Sequence, residues 1–255
     1  MSNASVLFTK DRGIGTITIN RPEARNALNK AVLALLDDIL REVKADSQIG
    51  VVIITGAGTE AFVSGGDIGE LSAMASVMEC WEVSRMHQSV LDRMERMEKP
   101  SIAAIRGYCL GGGLEVAMAC TLRIASDDAI LGLPEASLGI IPAYGGTQRL
   151  TRLVGTAKAA EMILTAKPIP AYEAFRIGLV NQVVPSDDLI STARGLAESI
   201  LENGPTAIRF AMDAIQRGRE MSLDNGLAFE SALGSICIRS PEAAERLKAF
   251  LSRRK

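Results

Sequence analysis

Two glutamates and three glycine-rich turns are the residues of this chain whose types and spacing suit catalysis. A triple glycine at residues 111–113 stands directly before an apolar run that contains Glu115. Backbone N–H groups at a helix start carry the positive end of the helix dipole and can hold developing negative charge. Helix entry with a stabilising first-turn acid explains one glycine and one glutamate, but it explains three glycines poorly. The stretch therefore indicates an oxyanion site.

Two further stretches carry related signals. "AFVSGGDI" (61–68) places a glycine pair where backbone N–H groups can face a ligand without a Cβ in the way, although a plain loop explains it equally well. "LPEASLGIIPAYGGTQRL" (133–150) places Glu135 after a short strand and a glycine pair before a helix. Two glutamates at strand–helix junctions can meet in one cleft as an acid–base pair. The glycine spacing at 111–113 matches neither common phosphate-binding glycine motif, so phosphate binding is the weaker option for that turn.

The elements that must position these residues alternate between strands and helices. Two β-branched runs within residues 6–20 predict a hairpin, and residues 28–43 have helical apolar spacing with Asn26 as a candidate cap. "VVIITG" then predicts a buried strand. The order returns downstream as the strand "SIAAIRG", a helix over 114–119 and the short strands "LRIAS" and "AILGLP". The sequence predicts an α/β fold of repeated ββα units.

The remaining segments read as mostly helical. Residues 71–98 predict a methionine-rich helical region that ends at Lys99–Pro100 and either fills the core or lines an adaptable pocket. Past Thr147 we expect helices with one short strand, "GLVNQVVP", and two final helices over 223–238 and 242–252.

Composition narrows the classes of function. The chain has 255 residues and a net charge of −2, with no dense basic run except the closing "SRRK", so we expect no nucleic-acid partner. The four cysteines lack paired spacing and favour buried free thiols, and one histidine, His87, offers too few ligands for a zinc site. No signal peptide or membrane-spanning stretch is visible, so we expect a cytoplasmic protein.

Together these stretches resemble the crotonase superfamily, most closely its enoyl-CoA hydratases. The resemblance implies a spiral of ββα units with a C-terminal helical segment, assembled as a homotrimer or a dimer of trimers. Residues 1–195 would form the spiral core with the acyl-CoA site, and residues 196–255 would serve oligomerisation and complete the CoA site. The motifs that match, in the family's order, are "TITINRPEARNALN", "VVIITG", "AFVSGGDI", "KPSIAAIRGYCLGGGLEVAMAC", "LPEASLGIIPAYGGTQRLTRLVG" and "AFLSRRK".

The resemblance also implies a reaction. Hydratases of this family add water reversibly across the 2,3 double bond of a 2-enoyl-CoA thioester to give a 3-hydroxyacyl-CoA. The matching oxyanion donors are the N–H groups of Gly66 and Gly112. Glu115 would help to activate the water that attacks C3, and Glu135 would share that water and deliver the proton to C2. No metal and no cofactor is implied, because coenzyme A is part of the substrate.

Further positions match the family's acyl-CoA site. Arg25 would supply a phosphate partner, Asp67 would shape its loop, and Phe250 and Arg253 match positions that reach a neighbouring subunit's CoA. The matching positions are Glu23, Ala24, Arg25, Ser64, Gly65, Asp67, Ile68, Gly111, Pro134, Ala143, Tyr144, Phe250 and Arg253. One departure concerns Ala143 and Tyr144, which stand where hydratases usually have glycine and alanine. They leave open the water placement and the acyl size, with a polar or cyclic acyl group as one option.

Three alternatives remain open from the sequence. An isomerase or another enolate-forming acyl-CoA enzyme shares the family, although the presence of both acids favours hydration. The same fold also serves serine peptidases, which would need Ser64 or Ser137 as nucleophile and His87 as base. An RNA-binding relative is the third alternative, and the slightly acidic balance argues against it.

Overall fold

The computed structural model describes residues 4–252, and it opens with the predicted hairpin. Strand β1 (Val6–Asp11) pairs antiparallel with β2 (Ile14–Ile19). Arg12 and Gly13 connect the two strands, and both have positive φ (47° and 82°). Two consecutive positive φ angles suit the right-handed twist of a tight hairpin.

Helix α1 (Lys30–Ala45) begins later than the sequence predicts, and its cap is Asn29 instead of Asn26. The Asn29 side chain accepts a 2.9 Å hydrogen bond from the Val32 N–H. Asn26 is fully buried, and its side-chain amide donates to the carbonyls of Ala57 and Ala61. The Asn26 side chain therefore joins two loops, which a local capping pattern does not reveal.

A six-stranded sheet forms the base of the fold. Its order is β1-β2-β3-β5-β7-β10, and every pair after the hairpin is parallel. Both faces are covered, because Val52 and Ile54 pack into one hydrophobic cluster and Val51 and Ile53 into another. The strands beyond the hairpin are β3 (Val51–Gly56), β5 (Ser101–Ile105), β7 (Leu122–Ser126) and β10 (Gln182–Val184).

A second sheet has the order β4-β6-β8-β9. Its strands are β4 (Ala61–Val63), β6 (Tyr108–Leu110), β8 (Ile130–Gly132) and β9 (Ile169–Pro170). β4, β6 and β8 run parallel, and each follows a strand of the first sheet. The carboxyl ends of these three strands therefore lie side by side, and the segments that leave them carry Gly66, Gly112 and Glu135.

Helices complete each unit. The predicted helical region at 71–98 is divided into two helices, with a break at residues 73–76. The helices that follow the second-sheet strands are α2 (Ile68–Ser72) and α3 (Val77–Glu95) after β4, α4 (Gly112–Ala119) after β6, and α5 (Gly146–Val154) after β8. The repeated ββα order is thus present.

The C-terminal third is mainly helical, as predicted. Its helices are α6 (Thr156–Thr165), α7 (Ala171–Arg176), α8 (Leu189–Leu201), α9 (Pro205–Gly218), α10 (Leu223–Ile238) and α11 (Pro241–Ser252). Helix α8 covers the outer face of the large sheet through Leu189, Ala193 and Ala197. Helices α10 and α11 contain no buried residue within the described part of the chain.

The cysteine prediction is correct in part. All four thiols are free, and Cys109 and Cys120 are buried, whereas Cys80 is exposed and Cys237 partly exposed. Of the five methionines in the 71–98 region, Met94 and Met97 are buried in the core. Among residues 4–252, no helix has the length and apolar character needed to cross a membrane.

Candidate active site

The triple glycine lies where three elements approach each other closely. Gly111 has a positive φ of 52°, and a Cβ on it would lie 2.8 Å from Glu135 Oε1. A Cβ on Gly113 would lie 2.0 Å from the Val63 carbonyl oxygen. Helix α4 is buried along its whole length. Two of the glycines are therefore required by packing, and they bring the helix start against β4 and against the second acid.

Two backbone N–H groups converge at this point. A parallel bridge joins Leu28 to the segment around Gly66: the Leu28 N–H donates to Gly65 O (2.9 Å), and the Asp67 N–H donates to Leu28 O (2.8 Å). This pairing leaves the Gly66 N–H outside the bridge. Gly112 is the first residue of α4, where N–H groups have no acceptor within the helix. A Cβ on Gly112 would lie 3.4 Å from Gly66 N, so the two residues border the same space.

Glu115 is a buried acid in the first turn of α4, with 1% of its surface exposed. Its Oε1 accepts hydrogen bonds from the N–H groups of Tyr144 (2.8 Å) and Gly146 (2.6 Å). Burial raises the pKa of Glu115 to about 8, although the two backbone N–H donors lower it, and the charge of Glu135 raises it further. The carboxyl group is fixed in orientation and retains its proton at neutral pH.

Glu135 lies in a short 3-10 helix (Pro134–Leu138) that follows β8. Burial also raises the pKa of this carboxyl group. Its Oε2 is buried and has no hydrogen-bond partner within residues 4–252. Buried polar atoms are nearly always satisfied, so a free carboxylate oxygen indicates a position for a polar ligand.

The two acids and the two glycines line one cavity of about 790 Å³. Leu71, Met74, Val83 and Ile141 contribute to its apolar wall. The other predicted site residues in the lining are Ala24, Ser64, Gly65, Asp67, Ile68, Gly111, Pro134, Ala143 and Tyr144.

The remaining predicted positions do not line this cavity. Glu23 and Arg25 lie just outside it, and Arg25 Nε is paired with Glu60 Oε1 at 2.6 Å. Phe250 is exposed on α11, and Arg253 lies outside the described residues. Asp67 accepts a hydrogen bond from the Gly69 N–H and pairs with Arg21, an arrangement that shapes its loop.

The chain as a whole is similar to known proteins. The family model described as enoyl-CoA hydratase/isomerase matches residues 9–255. The chain belongs to the enoyl-CoA hydratase/isomerase family. It is 44% identical to the short-chain-enoyl-CoA hydratase of Clostridium acetobutylicum, covering 98% of this chain and 96% of that protein. It is 41% identical to the crotonyl-CoA hydratase of Syntrophomonas wolfei, covering 100% and 98%.

Solved structures of the family confirm the spiral ββα fold. An enoyl-CoA hydratase from Bacillus anthracis aligns with a TM-score of 0.94 at 38% identity, covering 98% of this chain and 96% of that chain. An enoyl-CoA hydratase from Geobacillus kaustophilus aligns with a TM-score of 0.95 at 32% identity, covering 100% and 96%. The predicted superfamily and fold class are therefore correct.

Within this family site, the structure adds contacts that the sequence pattern does not show. The Tyr144 ring stacks on His87 of α3, with ring centroids 3.7 Å apart and an interplanar angle of 12°. The side-chain amide of Gln88 donates to the Ala143 carbonyl at 2.7 Å. These contacts join α3 to the loop at 142–145. They depend on tertiary packing, and no local signal in the sequence predicts them.

The position of His87 does not suit the peptidase alternative. Its Nδ1–H donates to the Val83 carbonyl at 2.8 Å, and burial lowers its pKa to about 4. Its Nε2 has no hydrogen-bond partner in the described part of the chain, so neither candidate serine is bonded to it. Ser137 Oγ donates to the Pro134 carbonyl instead. The serine–histidine contact that a peptidase needs is not formed.

Proposed function

We propose that this protein is an enoyl-CoA hydratase that adds water reversibly across the 2,3 double bond of a 2-enoyl-CoA thioester. One observation carries the proposal: the buried carboxyl group of Glu115 and the partly buried one of Glu135, both with raised pKa values, line the same cavity as the backbone N–H groups of Gly66 and Gly112. The names and near full-length identity of the two hydratase relatives support the same activity.

The glycine N–H groups act on the thioester carbonyl. As water adds at C3, negative charge moves onto C2 and the carbonyl oxygen. Gly66 and Gly112 donate hydrogen bonds to this oxygen, and each such donor lowers the barrier by roughly 3 kcal/mol in comparable sites. Because the donors belong to a fixed bridge and a buried helix, they need no reorganisation during the reaction.

The two acids position the water and transfer its proton. Burial raises the pKa of Glu115 to about 8, so this acid holds its proton at neutral pH. We assign proton acceptance to Glu135, whose Oε2 has no hydrogen-bond partner within residues 4–252. The water oxygen bonds to C3 with Glu115 as its positioning partner, while one water proton moves to the Glu135 carboxylate. Glu135 then returns that proton to C2. Both acids end in their starting states, and the atoms of one water are added to the substrate.

The proposed assembly is a homotrimer or a dimer of trimers. Helix α10 exposes Leu223, Leu227, Ile236 and Ile238, and an apolar surface of this kind is typical of a subunit interface. We assign the spiral core to residues 1–195 and the assembly segment to 196–255, where Phe250 and Arg253 would complete a CoA site.

We also propose a cytoplasmic location and no cofactor requirement. Four free thiols fit a reducing cytoplasm. The proposed hydration needs no cofactor besides the CoA that the substrate carries.

The test is the loss of conjugated-enoyl ultraviolet absorbance when the purified protein meets crotonyl-CoA. We expect turnover by the wild type and losses of about 10²- to 10⁴-fold in kcat for Glu115→Gln and for Glu135→Gln. Glu198→Gln, an exposed acid on α8, is the matched control and retains full activity. An inactive wild type contradicts the proposal. Full activity of Glu115→Gln with loss only in Glu135→Gln would favour the isomerase type of chemistry.

A further inference from the structure

The Tyr144 side chain lies directly beside the oxyanion glycines. A Cβ on Gly66 would lie 3.4 Å from the Tyr144 hydroxyl, and a Cβ on Gly112 would lie 3.4 Å from the ring atom Cδ2. The Tyr144 backbone N–H donates to Glu115 Oε1. The residue therefore borders one side of the space between the two glycines and the first acid, in which C1, C2 and C3 of a bound thioester must lie.

The tyrosine ring is held in place from behind. Its face stacks on His87, whose own orientation is fixed by the hydrogen bond to the Val83 carbonyl. The preceding carbonyl, that of Ala143, accepts a hydrogen bond from Gln88. Only 8% of Tyr144 and 4% of His87 is exposed. With its backbone bonded on one side and its ring covered on the other, the side chain cannot rotate out of the cavity.

We propose that Tyr144, backed by His87, is the wall that restricts the acyl group of the substrate to short chains. This inference rests on the proposed hydratase function. An acyl chain that continues beyond C3 meets the rigid phenol ring. His87 is the positioning residue that prevents the ring from yielding.

The chemistry of the wall also limits the kind of acyl group. The neighbouring lining is apolar, with Leu71, Val83 and Ile141. His87 is uncharged at neutral pH because burial lowers its pKa to about 4. Among the described residues that line the cavity there is no cation, so an acidic acyl terminus would find no counter-ion and the wall favours short apolar groups.

The experiment compares 2-butenoyl-CoA with 2-octenoyl-CoA. We expect Tyr144→Ala to raise the ratio of kcat/KM for the eight-carbon over the four-carbon substrate at least tenfold. Tyr144→Phe keeps the ring and should leave this ratio within twofold of the wild type. His87→Ala should raise the ratio by a smaller factor, and His87→Phe, which restores a stacking ring, should return it toward the wild-type value.

Binding of saturated substrate analogues separates this inference from the hydratase proposal. Dissociation constants of butanoyl-CoA and octanoyl-CoA can be measured by calorimetry without turnover. Tighter octanoyl-CoA binding by Tyr144→Ala or, if that variant fails to fold, by His87→Ala supports the wall even if no hydration is observed. An unchanged ratio of the two constants in folded Tyr144→Ala would overturn the inference, as would a wild type that already prefers octanoyl-CoA.

Discussion

The proposed catalytic cavity and a polar cleft of about 650 Å³ both border the loop at 143–146, and both contain carboxylates. In the cleft, Arg149 pairs with Asp92 at 2.7 Å and with Glu95 at 2.9 Å. In the cavity, Glu115 and Glu135 form no salt bridge within the described residues. Residues of the same chemical type are therefore ion-paired in one region and free of cation partners in the other, where we propose that they transfer protons.

The two regions differ in whether a cation lies beside the carboxylates. In the cleft the Arg149 guanidinium lies beside two carboxylates, whereas in the cavity burial raises the pKa of both acids. The loop between the two regions serves both. Arg149 donates to the Tyr144 carbonyl from the cleft, while the Tyr144 and Gly146 N–H groups donate to Glu115 in the cavity. The ion-paired cleft therefore helps to hold the loop that binds Glu115.

Removal of Arg149 should break this comparison with the largest loss of stability. The Arg149 side chain is only 10% exposed, and Arg149→Met leaves Asp92 and Glu95 without their shared cation. We expect the free energy of unfolding to fall by about 3 kcal/mol, as for other partly buried ion pairs that lose one member. Urea unfolding followed by circular dichroism measures it. Arg152→Met, on the exposed side of α5, should change it by less than about 0.5 kcal/mol, and equal effects in the two variants would contradict the bracing role.

Glu115→Gln should instead raise the free energy of unfolding. The folded pKa of Glu115, about 8, lies above the ordinary glutamate value of 4.5, so folding is penalised as pH rises above 4.5, and the penalty is complete above 8. Glutamine carries no such penalty, and its side-chain carbonyl can still accept the two N–H groups. We expect Glu115→Gln to be more stable than the wild type by about 4 kcal/mol at pH 8 and nearly equal to it at pH 4.5.

Urea midpoints at the two pH values check this prediction. Glu95→Gln, which removes a paired carboxylate from the cleft, should lose stability at pH 8 instead. A gain that is the same at both pH values would show that the raised pKa is not its cause.

The sequence was sufficient where the signals are local. Strand periodicity predicted the ββα order, and the placement of Glu115 and Glu135 at strand–helix junctions predicted one shared cleft. The resemblance to the family added Gly66 and Gly112. A local signal for the break before α3 was also present. Ser76 and Glu79 form an S-x-x-E capping pattern, in which Ser76 Oγ accepts from the Glu79 N–H at 3.1 Å.

Other features depend on packing between distant segments. Asn26 and Asn29 are equally good caps by type, and only the contacts of Asn26 with Ala57 and Ala61 decide between them. The hydrogen bonds of Glu115 to the 144–146 loop and the stack of Tyr144 on His87 likewise join elements far apart in the chain. The sequence pattern does not encode which rings stack or which loop binds Glu115, so these contacts could not be predicted from the sequence.

The smallest expected effect on stability concerns the second arginine that pairs with Glu95 in the cleft. Glu95 is paired with two arginines, Arg149 on the inside and Arg219 at the rim, where the Arg219 side chain is 39% exposed and 3.1 Å from Glu95 Oε1. Because exposed pairs are well solvated, Arg219→Met should cost about 0.5 kcal/mol or less, and 0.5 M salt should remove most of that difference. Paired urea titrations at low and high salt measure it. A cost near that of Arg149→Met would mean that burial is not what distinguishes the two partners of Glu95.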